Sequence, residues 1–246
     1  MPLDLTIEDR VRDLNDRYRH QGATSVLEHS LSDPMVGDIA LVSSFGAESV
    51  VLLHLISVMA PSTPVIFLDT EMLFAETLAY QAELAETLGL SDVRQVQPDR
   101  AELLVEDSEN LLHEANPDAC CDLRKTRPLD RALAPFDAWI SGRKRFQGGR
   151  REALEFFEPG TTAPRIKVNP LAHWDRSDVA DYIVNNRLPR HPLVARGFAS
   201  LGCAPCTSPV ETGEDPRAGR WRGTAKTECG IHLGPNGLIR SAFLSI

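Results

Sequence analysis

The five cysteines carry the most chemistry in this chain, and their spacing divides them. Cys120 and Cys121 are adjacent, Cys203 and Cys206 form a CxxC pair beginning 82 residues after Cys121, and Cys229 stands alone in an ECGIH run. Five is four plus one: four thiolates complete a metal or cluster site, and one is left for chemistry. Structural zinc usually joins two half-sites that each contain intervening residues. Two adjacent cysteines chelate one tetrahedral ion awkwardly, whereas a cubane takes them on two neighbouring irons. The favoured reading is therefore a [4Fe–4S] cluster on Cys120, Cys121, Cys203 and Cys206, with zinc as the alternative. Lys125, four residues after Cys121 in a helical stretch, would lie one turn away and offset cluster charge; a solvated lysine is the plainer reading.

A second constellation suits an anion. SSFGAES (43–49) lies between an apolar strand and the helix after it. Helix N-terminal amides and small residues form an anion pocket there. Ser43, Ser44, Gly46 and Ser49 fit that role, with Glu48 a partner for the helix dipole. The GKS/T ending of a Walker loop is missing. The segment looks instead like the SGGKDS loop of ATP pyrophosphatases, with Phe45 for the first Gly and Ala47 for the Lys. Loss of that lysine suits a nucleotide with a shorter, less charged tail. Asp69 and Thr70 end the next strand on the same rim. Arg143, Lys144, Arg145, Arg150 and Arg151 crowd nine residues after a further strand, in a chain whose formal net charge is -9. Arginine forks bind phosphate or sulfate bidentately. An RNA contact is the competing use, but only Phe146 is interleaved for stacking, and the acidic balance argues against a general nucleic-acid binder.

The elements that position these residues follow from periodicity. Residues 4 to 32 show helical spacing. Strands are expected at 39–45, 65–70, 93–97, 138–142 and 165–171, and helices at 47–59, 71–88, 119–133 and 175–186, with 158–164 a loop. Alternation of this kind predicts an α/β fold with a doubly wound, mainly parallel sheet. With 246 residues and 42% hydrophobic content, one larger α/β domain is expected. Residues 1–206 form that domain; residues 207–246 form a flexible C-terminal arm, because 207–228 hold too few apolar residues for a core. The opening residues MPLDLTIEDR show no secretory signal, and the longest apolar run, 50–59, is too short to span a bilayer. A cytoplasmic protein with free thiols is expected.

Together these residues resemble one family, the cluster-containing adenylylsulfate (APS) reductases of the sulfonucleotide reductases. The resemblance rests on SSFGAES, LDT, CCDLRK, SGRKRFQ, KVNPL, LPRHPL, GCAPCT and GRWRG…KTECGIHLG, which span residues 40–234. It implies an adenine nucleotide alpha hydrolase-like fold and a thioredoxin-dependent reduction of APS to sulfite and AMP, in sulfate assimilation and cysteine biosynthesis. It implies that Cys229 attacks the sulfur, AMP leaves, and thioredoxin or glutaredoxin releases sulfite from the Cys229 S-sulfonate. Gly142, Arg143, Lys144, Arg145 and Gln147 fall on a GxRRxQ-like pattern, where Lys144 keeps the charge of the usual arginine and loses its fork. Arg217, Arg220 and Trp221 match an RxGRW segment that closes over the anion, and His232 belongs to the ECGIH block. The alternatives are a 3′-phospho-adenylylsulfate (PAPS) reductase or a dual enzyme, and, further off, a cluster-containing ATP pyrophosphatase of tRNA thiolation. The residues after Gly234 are assigned nothing beyond docking or homo-oligomer contact.

Overall fold

The structure is a computed structural model that describes residues 5–160, 163–224 and 226–232, excepting the side chains of Arg150 and His232. The chain opens with α1 (Ile7–Tyr18) and α2 (Ala23–Ser30). Thr6 Oγ1 caps α1 by accepting the Asp9 N–H at 3.1 Å. Strands and helices then alternate: β1 (Ile39–Ser43), α3 (Ser49–Met59), β2 (Val65–Leu68), α4 (Ala75–Thr87), β3 (Val93–Val96), α5 (Arg100–Glu106), α6 (Leu112–Ala115), α7 (Pro117–Cys121), α8 (Arg127–Ala132), β4 (Ala138–Ile140), β5 (Phe157–Pro159), β6 (Ile166–Val168) and α9 (Arg176–Asn185).

The strands form one sheet in the order β3-β2-β1-β4-β6-β5. Every pairing is parallel except that of β5 with β6. From β1 the chain builds outward through β2 and β3, then returns to add β4 on the other side. The carboxyl ends of β1 and β4 thus flank a topological switch point, the place where such sheets hold ligands. The period-2 pattern sorts the strands between two faces. Leu41, Val65, Phe67, Ile140 and Val168 face the larger core with α1–α4 and α9, whereas Ala40, Ile66, Leu68 and Trp139 pack on Leu129 and Leu133 at α8.

The structure differs from the sequence reading in four places. The stretch 4–32 is two helices, broken before Gly22. The 158–164 loop begins as strand: β5 pairs Phe157 with Val168 and Pro159 with Ile166, and an edge strand tolerates the proline. The 119–133 helix is interrupted by a π-helical segment, Asp122–Thr126, between α7 and α8. Glu71 takes a left-handed φ of 59°, so α4 begins only at Ala75. Between 208 and 221 the chain is seated on the body: the Val210 N–H donates to the Gly197 carbonyl at 2.9 Å, the Trp221 N–H donates to the Cys206 carbonyl at 3.0 Å, and Trp221 is buried. Gly219 is required there, because a Cβ would lie 2.1 Å from the Ser208 carbonyl oxygen.

Candidate active site

The anion loop starts where β1 ends. Phe45 adopts a left-handed φ of 47°, a strained choice for a bulky residue, and is held by complete burial and an edge-on contact with Phe67 at 5.2 Å. Its N–H donates to Ser43 Oγ at 3.2 Å, and the Gly46 N–H donates to Ser49 Oγ at 3.0 Å. Among the described residues no side chain caps α3; its Ser49 N–H donates to the Gly46 carbonyl at 3.1 Å and its Val51 N–H to the Glu48 carbonyl at 3.4 Å.

Above this loop lies a cavity of about 240 Å³. Ser43, Ser44, Gly46 and Ser49 line it from the end of β1 to the start of α3, Thr70 from the segment after β2, and Gly142, Arg143, Lys144 and Gln147 from the segment after β4. Lys125 enters from the π-helical segment, and Arg217, Arg220 and Cys229 from the C-terminal stretch. Two expected residues stand elsewhere. Asp69 accepts from Gln95 Nε2 and Gln97 Nε2, each at 2.8 Å, because alternation past β2 turns it away from Thr70's side. Arg145 is drawn off by a 3₁₀ turn and donates to the Leu154 carbonyl at 2.6 Å and to Glu155 at 3.1 Å. The His232 side chain and the tail after it lie outside the described residues.

The cavity also holds Arg151 of the basic run, and residues that sequence reasoning did not assign to it: Glu228, Thr77 and the apolar Leu73 and Leu201. Arg151 belongs to the basic run, and Glu228 precedes Cys229, so both carried a signal. Their pairing did not, since 77 residues separate them.

Most cations in the cavity are already paired. Lys144 Nζ is 2.8 Å from Glu48 Oε2; burial lowers its pKa, and Glu48 opposes that fall. Arg143 is ion-paired with Glu158, and Arg151 forks onto Glu228 at 2.6 and 2.7 Å. Lys125 and Arg220 differ: among the described residues neither has a carboxylate partner. Arg220 donates to the Leu201 carbonyl at 2.8 Å, lies over the Trp221 ring at 4.4 Å, and keeps a buried Nε without a partner.

The thiols gather beside these two cations. All five are free, and only Cys206 is not fully buried. The neighbouring Cys121 thiol, against burial and with help from Lys125, the Ile231 N–H and Arg220, holds the Cys229 thiol well below its ordinary range. The same contact and burial push Cys121 up. Burial works against the Lys125 charge, but Cys203, Cys229 and Cys121 together outweigh it. Burial, then Cys203, raises Cys120 to about 11. Thr70 Oγ1 lies 3.2 Å from Cys203 Sγ. Among the described residues no three His, Cys, Asp or Glu side chains group so as to hold a metal ion. An all-thiol donor set drawn from two segments around one ammonium fits an iron–sulfur cluster in its chemistry.

Fold and site together define a class: an α/β protein with a mainly parallel sheet whose switch-point cavity ends in thiols. The chain belongs to the phosphoadenosine phosphosulfate reductase domain family, which matches residues 38–209. It is 50% identical to the adenosine 5′-phosphosulfate reductase of Mesorhizobium japonicum, over 89% of this chain and 86% of that protein. It is 48% identical to the protein of the same name from Chelativorans sp., over 94% of each chain. Among solved structures it resembles the PAPS reductase of Candida auris in a phosphate complex, with a TM-score of 0.67 and 25% identity, covering 81% of this chain and 96% of that one. Yeast FAD synthetase, at a TM-score of 0.53 and 17% identity over 82% of this chain and 75% of that one, shares the fold.

Proposed function

We propose that this protein is an adenosine 5′-phosphosulfate reductase of sulfate assimilation, forming sulfite and AMP with electrons from thioredoxin or glutaredoxin. The observation that carries the reading is the meeting of Cys229, Lys125 and Arg220 with the SSFGAES loop and Arg143, Lys144 and Arg151 in one cavity. The loop amides and hydroxyls hold the nucleotide phosphate, and the cations hold its sulfate end. The Cys229 thiolate attacks the sulfate sulfur; a new S–S bond forms as the bond from that sulfur to the bridging phosphate oxygen breaks. AMP leaves with that electron pair, and Cys229 keeps an S-sulfonate. A reductant thiolate then attacks Cys229 Sγ and expels sulfite, and the second reductant thiol resolves the mixed disulfide. Atoms and electrons balance as one dithiol oxidised per sulfite released.

Cys229 is only 9% exposed, so the reductant reaches its S-sulfonate only after the segment carrying it lifts. Residues 207–246 are proposed as that arm. Cys120, Cys121, Cys203 and Cys206 would hold a [4Fe–4S] cluster, which supplies a fixed buried charge beside Lys125 and organises the thiol end. The setting proposed is the cytoplasm, where thiols stay reduced.

A PAPS reductase is the second reading, favoured by the likeness to the Candida auris structure. The relatives at 50% and 48% identity favour APS. The deciding test is anaerobic sulfite release with each nucleotide in turn, thioredoxin supplied, beside iron and sulfide quantification. Preference for APS with bound iron is expected; preference for PAPS, or an iron-free active protein, would overturn the corresponding part.

A further inference from the structure

A hydrogen-bonded pair that the proposed chemistry does not use stands at the cavity wall on the β2 side. His191 is 1% exposed and caps the 3₁₀ turn Pro192–Arg196: its Nδ1 accepts the Leu193 N–H at 3.2 Å. A ring nitrogen that accepts carries no proton, so the neutral imidazole has its proton on Nε2. Nε2 lies 3.0 Å from Thr77 Oγ1 and therefore donates to it. Tyr80 holds the ring edge-on at 4.9 Å and is itself anchored to the Pro189 carbonyl at 2.8 Å.

Thr77, in the first turn of α4, is 2% exposed and lines the cavity. Its oxygen accepts from His191, and among the described residues no acceptor takes its own hydroxyl proton. A buried hydroxyl proton without an acceptor is costly. The cavity is the direction left for it. The sheet order places Thr77 after β2 and the arginine and lysine cluster after β4, on opposite sides of the β1 loop. Leu73 and Leu201, which line the same cavity, are apolar. A neutral donor after β2, across the β1 loop from the Arg143 and Lys144 cluster, suits the uncharged nucleoside and not the anionic tail.

We propose that Thr77 donates a hydrogen bond to the nucleoside of the bound nucleotide, and that His191 is a positioning residue that fixes the direction of that hydroxyl. This rests on the adenine-nucleotide reading above, and the test separates the two. AMP and inorganic sulfate affinities are measured by calorimetry on the full chain for wild type, Thr77→Val, Thr77→Ser, His191→Asn and the His191→Asn/Thr77→Val pair. Asparagine can keep an acceptor for the Leu193 N–H but cannot reach Thr77. Thr77→Val is expected to weaken AMP about fivefold to tenfold, with sulfate affinity unmoved, and Thr77→Ser to regain most of the loss. His191→Asn is expected to weaken AMP about threefold, and the pair to match Thr77→Val alone, because the two act through one hydroxyl. AMP binding by Thr77→Val within twofold of wild type, an equal loss for sulfate, or additive losses in the pair would each overturn the inference. Wild type that fails to bind AMP would sink the nucleotide reading as well. Should His191→Asn not fold, the Thr77 variants decide alone.

Discussion

The two ends of the cavity treat positive charge differently. On the β4 side, Lys144, Arg143 and Arg151 each meet a carboxylate, from Glu48, Glu158 and Glu228 respectively. At the thiol end, Lys125 and Arg220 meet sulfur, backbone and an indole ring, with no carboxylate among the described residues. Paired cations keep their geometry and bring little net charge, so they shape an anion's seat more than they attract it. Unpaired ones act on charge as it develops, first on the thiolate and then on the transferring sulfur. The β4 side is thus a mould and the thiol end is where chemistry is driven.

The largest effects should come from the thiol end. Cys229→Ser is expected to cut sulfite release more than about a thousandfold while AMP affinity stays within about threefold. Full activity in that variant would remove Cys229 from the reaction. Cys203→Ser should lose its iron, read as metal per chain, and unchanged iron would place the metal elsewhere. Lys125→Met should lower kcat by about a hundredfold, whereas Lys144→Met should act mainly through KM. Equal kcat losses in the two variants would erase the contrast between the ends.

Smaller effects probe the pairing itself. Glu48→Gln frees Lys144 and should tighten AMP about threefold, as calorimetry would show; weaker binding would mean that the pair builds the site. Glu228 gives a pH prediction. Burial would raise its pKa from 4.5, but Arg151 and Arg217 outweigh burial and lower it. Its contribution is therefore present above the ordinary glutamate range and lost as pH falls through the depressed value. Pepsin should nick the segment 207–228 faster as pH drops through that window, and Glu228→Gln should flatten the dependence.

What the sequence disclosed was chemistry type and local spacing. The cysteines, the SSFGAES loop and the arginines announce themselves because few other uses suit such residues in such order, and the strand–helix alternation that frames them is periodic. What it withheld depends on long-range pairing or on one residue of register. Glu48 finds Lys144 across 96 positions, and Thr77 finds His191 across 114. Asp69 and Thr70 are neighbours in sequence, yet only Thr70 faces the cavity. The π-helical segment adds about one residue per turn without any marker in composition, although the four-residue spacing from Cys121 already pointed Lys125 toward the thiols. β5 hides because three residues at a sheet edge, one of them Pro159, have no pattern to show.

The most direct measurement is mass spectrometry of the protein after incubation with APS and no reductant, followed by peptide mapping. The account predicts one sulfonate per chain, confined to Cys229 and discharged as sulfite when reduced thioredoxin is added. AMP formation without any sulfonate on the chain, or a sulfonate on another cysteine, would contradict it.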